Sequence, residues 1–138
     1  MTAATERPAA RPLTVTLTVL AAVAASAIVT TLIALVAQGA GVGFPPLQPM
    51  IYLTFAVLGT LVAIGGWLLV VRWVGRSARA LRILVPVLVV LSLIPDVILL
   101  LTGFIPGTTA PGVVALMLMH PVVAASGAIA GQRIAPAR

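Results

Sequence analysis

The chain reads as an all-α integral membrane protein, a four-helix bundle with both ends on the cytoplasmic side. Three observations predict this. Of its 138 residues, 62% are hydrophobic and 7% charged, and the mean hydropathy is +1.26. A soluble domain carries about 25% charged residues, so too little polar surface remains to cover a water-facing globule. Four apolar stretches reach the roughly 20 residues that a helix needs to cross a bilayer. The third observation is where the charge falls. Arg7 and Arg11 precede the first stretch, Arg72, Arg76, Arg79 and Arg82 separate the second from the third, and Arg133 and Arg138 follow the fourth. The connections around 38–49 and 102–108 carry no charge. Short loops rich in arginine stay cytoplasmic, so the alternation sets the topology.

Residues 1–12 (MTAATERPAARP) form a polar, proline-containing cytoplasmic tail. A single transmembrane domain follows over 13–131, and 132–138 form a second cytoplasmic tail, which leaves no room for another domain. The first span covers about 13–37. The core of a cleavable signal peptide is only about 7–15 apolar residues. Here the run continues unbroken to Ala37, so it reads as a retained anchor. Ala21, Ala22, Ala25, Ser26 and Thr30 give this span a small face that lets helix backbones approach closely in lipid.

The loop QGAGVGFPPLQP then ends one helix and delays the next through its glycines and prolines. Phe44 and Leu47 in it are expected at the outer membrane interface. The second span covers about 50–74, with Tyr52 near its outer end and Trp67 and Trp73 near its inner end, where amphipathic rings favour the headgroup zone. Gly59, Ala63 and the Gly65–Gly66 pair offer a close-packing surface. Arg72, Arg76, Arg79 and Arg82 recur at intervals of three and four, the spacing of one basic helical face. They are expected to contact anionic lipid headgroups, at about 1 kcal/mol per residue; a specific anion site is the alternative.

The third span covers about 83–102 and contains Pro86 and Pro95; the fourth covers about 109–130 and contains Pro121. A proline frees the carbonyl four residues back, here those of Arg82, Leu91 and Met117. In lipid such carbonyls need another partner. Gly127 and Gly131 form a GxxxG near the inner end of the fourth span. The two halves show no internal repeat.

Asp96 is the one acid expected within the bilayer, and His120 is the only histidine. Helical rise places them roughly 9 and 16 Å below the outer boundary. Consecutive antiparallel spans pack as neighbours, and Ser92 lies one turn below Asp96 on the same face. A cluster of Asp96, Ser92 and His120, with Thr108 or Thr109 above it, is therefore sterically reasonable. An ionised Asp at the centre of a lipid-facing helix costs about 2.5–3.5 kcal/mol on insertion scales, which favours such pairing. The cluster is a candidate for proton relay, for holding a cationic solute, or for acid–base catalysis. The structural alternative has Asp96 opening a helix segment beyond Pro95, wetted from outside, while His120 bonds a loosened carbonyl.

Thr108, Thr109, Pro111 and Gly112 suit a helix start. Met117 and Met119 flank His120 and read as core packing in preference to copper or haem ligands. One His and one Asp are too few for a zinc site, and the chain has no cysteine, so no metal site, cofactor or disulfide is expected. The charge of +6 does not read as nucleic-acid binding, because the arginines are dispersed and lack interleaved aromatics.

The blocks GWLLVVRWVGRSARALR ending at Arg82, LSLIPDVILLL (Leu91–Leu101) and TTAPGVVALMLMHPVVA (Thr108–Ala124) carry a likeness to a known family. In them the chain resembles small four-span membrane proteins of actinobacteria, catalogued as a domain of unknown function. The resemblance implies the four-helix architecture and a plasma membrane, and it implies no activity. Three functions stay open. The first is a non-enzymatic accessory or structural component of the bacterial plasma membrane, as a homo-oligomer or in a larger assembly. The second is an oligomeric transporter or channel subunit coupled to protons or cations through Asp96 and His120. The third is an enzyme or binding protein for a lipid-soluble ligand at those residues.

Overall fold

The computed structural model describes residues 12–138, so the N-terminal tail with Arg7 and Arg11 lies outside the described residues. Five α-helices follow in order: α1 (Pro12–Gly39), α2 (Pro49–Trp73), α3 (Ser77–Ser92), α4 (Ile94–Thr102) and α5 (Ala110–Ile134). A 3-10 turn at Pro45–Leu47 separates α1 from α2. Together α3 and α4 make one segment, so four helical units are long and apolar enough to cross a membrane. Every crossing reaches beyond at least one bound expected from sequence. The last runs on to Ile134, and the third starts at Ser77, which puts Arg79 and Arg82 on its first turns. Arg72 closes α2, and the chain turns extended at Val74, so the four arginines do not share one continuous helix.

The helix ends follow from local chemistry. Proline is tolerated in a first turn, where its missing N–H is left unbonded anyway. Pro49, Pro95 and Pro111 open α2, α4 and α5 in this way. Pro86 and Pro121 instead sit inside helices that continue past them. Helix α4 stops at Gly103, whose φ of +59° suits a residue without Cβ; its N–H bonds the Leu99 carbonyl at 2.8 Å.

Helices α1, α2 and α5 pack against one another as the core, and the third crossing lies outside them against α2 and α5. The core faces are mostly small and repeat every three or four residues, the spacing that stacks side chains on one helical face. In α1 they are Ala22, Ser26, Thr30, Ala34 and Ala37; in α2, Tyr52, Ala56, Thr60 and Ile64. Two buried hydroxyls turn back on their own helices, Thr30 to the Ser26 carbonyl at 2.8 Å and Thr60 to that of Ala56 at 2.7 Å. Ala21 and Ala25, expected on the α1 contact face, are exposed. The true face is rotated away from them.

The closest seam runs between α2 and α5, which lie parallel. Gly59 meets Val123, Ala63 meets Gly127, and Trp67 meets Gly131. The Gly65–Gly66 pair takes no part, since nothing lies within 4 Å of where a Cβ would stand on either. At this end, where the described arginines gather, the Trp67 indole donates to the Ala135 carbonyl at 3.0 Å. Ala78 N–H donates to the Arg138 carbonyl at 2.7 Å, and the Arg138 N–H donates to Ser77 Oγ at 2.9 Å. The last residues thus tie the fourth crossing to the start of the third.

At the opposite end the α1–α2 loop folds inward. Phe44 and Leu47 are buried, 4% and 1% exposed, which corrects their expected place on the membrane interface. The 3-10 turn makes this possible, and the Gln38 amide donates to the Leu47 carbonyl at 2.8 Å. Phe44 rests against Gly112 at the start of α5 and closes this end of the core.

Candidate functional site

The third crossing breaks at Leu93, two residues ahead of Pro95, because the proline cannot donate to the carbonyl four residues back. The break starts a new helix and puts Asp96 in its first turn, where a carboxylate favours the helix dipole by typically 0.3–1 kcal/mol. Asp96 is 7% exposed. Its neighbour across the interface is His120, in the middle of α5.

Nδ1 of His120 lies 3.3 Å from Asp96 Oδ2 and 3.0 Å from the carbonyl of Leu116 on its own helix. The structure therefore brings Asp96 and His120 together and buries the acid. Oδ2 is out of line for a hydrogen bond and accepts none from any other group. Among the described residues this is the one close approach of an acidic and a basic side chain. The imidazole does bond a carbonyl, but it is that of Leu116, not the Met117 carbonyl freed by Pro121.

The other candidates serve local structure. Ser92 Oγ donates to the Val89 carbonyl at 2.7 Å, at the end of α3. Thr108 donates to the Ile105 carbonyl at 2.6 Å. Thr109 caps α5, accepting from the Gly112 N–H at 3.3 Å. No hydrogen bond joins these three hydroxyls to the pair. Met119 is buried and Met117 packs beside it in the apolar cluster around Phe44, Leu99 and Val113. One carboxylate and one imidazole supply only half of a tetrahedral metal's ligands, and among the described residues no third such group stands near.

Arg72, Arg76, Arg79 and Arg82 are exposed, as are Arg133 and Arg138, and Trp73 stands among them 76% exposed. No described acid pairs with any of them. Sequence reasoning missed the Leu116 carbonyl, although it lies one turn before the histidine, a spacing at which side chains regularly reach back to the backbone. The Trp67–Ala135 and Ser77–Arg138 ties had no sequence signal.

Fold and site define a small all-helical protein of four membrane-length crossings, with one acid–imidazole pair lodged between the broken third crossing and the fourth. The chain belongs to a family of unknown function, DUF6069, whose model matches residues 9–136 and so spans all five helices. Searches of curated proteins and of solved structures returned no match.

Proposed function

We propose that this chain is a multi-pass protein of the bacterial plasma membrane, with both ends cytoplasmic, and that it is a non-enzymatic accessory component working through contacts within the bilayer. One observation carries the reading. The buried residues of the third crossing lie only toward its two ends, Ser77 and Leu81 near the arginines and Asp96 and Leu99 beyond the break. Between Leu81 and Asp96 no residue is buried, and Ile83, Leu88, Val90 and Leu91 are more than half exposed. A bilayer-embedded chain with short connections presents its recognition surface sideways, and this crossing offers the largest share of it. The exposed arginines support the orientation and serve as contacts for anionic headgroups.

The test is the mass of the complex extracted from its native membrane in intact lipid. An accessory component migrates as a homo-oligomer or with a partner; a lone chain of 14.0 kDa would contradict the proposal.

A second reading is favoured by the 3.3 Å approach of Asp96 and His120. An ionisable pair inside a bilayer is costly, and such pairs mark proton, cation or ligand sites. On this reading the accessory chain carries a binding site at the hinge of its third crossing.

A further inference from the structure

We infer that His120 presents Nε2 as a hydrogen-bond acceptor to a lipid-soluble ligand bearing a hydroxyl group, while the Leu116 carbonyl orients its ring beside Asp96. The inference deepens the second reading and rests on the pair lying within the bilayer.

The assignment begins at Nδ1. Its close neighbours are the Leu116 carbonyl at 3.0 Å and the Asp96 carboxyl oxygen at 3.3 Å. A carbonyl oxygen only accepts, so Nδ1 carries the hydrogen. In the neutral ring the lone pair is then on Nε2, because the bond made by one ring nitrogen selects the state of the other. An oxygen acceptor behind Nδ1 is also the arrangement that fixes a ring's orientation and tautomer.

Nε2 itself makes no hydrogen bond among the described residues. The buried side-chain atoms left without a partner among the described residues are Ser26 Oγ and Asp96 Oδ2, so Nε2 is not sealed inside. The His120 side chain is 33% exposed. Its chain neighbour Pro121 is exposed, and so are Val97 and Leu100, one and four residues along α4 from Asp96, at 44% and 42%. A lone pair turned toward hydrocarbon is left without the hydrogen bond it has in water. The group that restores the bond must carry a donor hydrogen and dissolve in lipid.

The choice of a neutral hydroxyl over a cation follows from the ring. Nδ1 is the ring atom that faces Asp96, 3.3 Å from the buried Oδ2, so a ligand at Nε2 meets the imidazole lone pair first. The exposed atom is a neutral acceptor, and its matching partner is an alcohol or phenol on a largely apolar molecule.

The experiment uses the full chain in phospholipid nanodiscs, with isotope-labelled histidine observed by nitrogen NMR. His120 is the only histidine, so its two ring nitrogens give the only signals. The probes are para-octylphenol and para-octylanisole, the methyl ether that lacks the donor hydrogen. The wild-type ring is expected to be protonated at Nδ1 and bare at Nε2. The phenol should move the Nε2 signal saturably while the ether does not. Asp96→Asn can turn an amide N–H toward Nδ1, which would admit the other tautomer and weaken the phenol response about tenfold. A ring protonated at Nε2, or equal responses to phenol and ether, would overturn the inference. A water-soluble paramagnetic chelate separates this from failure of the membrane reading. If it broadens the ring signals, the pair lies outside the bilayer and the underlying reading is at fault.

Discussion

Gly131 of α5 lies flat against the indole of Trp67 on α2, so close that a methyl group on the glycine would overlap the ring carbons. One turn earlier Gly127 stands in the same relation to Ala63. In lipid there is little hydrophobic drive between helices, and close backbone approach takes over that role. Gly131→Ala and Gly127→Ala should each destabilise the protein by about 1–3 kcal/mol, the usual cost of overpacking. Gly65→Ala and Gly66→Ala meet nothing within 4 Å. They should be neutral or stabilise, because alanine is favoured over glycine in a helix interior by about 1 kcal/mol. Thermal unfolding in a mild detergent compares all four; equal losses in both pairs would contradict the seam.

Phe44 closes the end of the core opposite the arginines, in contact with Gly112. Phe44→Ala should cost about 3–5 kcal/mol, the range for emptying a buried phenylalanine site. Trp73→Ala, at an aromatic 76% exposed, should leave stability within about 0.5 kcal/mol of wild type. The same unfolding measurement decides, and a phenylalanine as dispensable as the tryptophan would mean that the loop does not fold inward.

The proposed orientation rests on the arginines between the second and third crossings. Replacing Arg72, Arg76, Arg79 and Arg82 together by Gln removes half of the chain's basic residues. Reporter fusions at the C-terminus should then change from a uniform cytoplasmic signal to a mixture of both sides. An unaltered signal would show that orientation is set elsewhere.

Much of the fold was legible because apolar length alone reveals a crossing. The break at Leu93 was legible as a loosened Leu91 carbonyl before Pro95, and the meeting of Asp96 and His120 was open to expectation because consecutive crossings pack together. What failed was helix rotation. In lipid the outward face is as apolar as the inward one, so Ala21 and Ala22 look alike in sequence although only Ala22 is buried. The misplacement of Phe44 and Leu47 has a related cause: an aromatic loop suits a membrane surface and a core plug equally, and only the 3-10 turn decides. Ser92, Thr108 and Thr109 were grouped with the pair by depth, but each hydroxyl had a nearer backbone partner.

The pairing of Asp96 with His120 is tested most directly by a double-mutant cycle of Asp96→Ala and His120→Ala, unfolded reversibly in lipid. Polar pairs between membrane helices couple by about 0.6 kcal/mol on average and up to about 1.7. The contact across the hinge predicts a coupling of about 1 kcal/mol, with the double variant less destabilised than the sum of the singles. Additivity within about 0.3 kcal/mol would show that the two residues act independently, and the site described above would not exist.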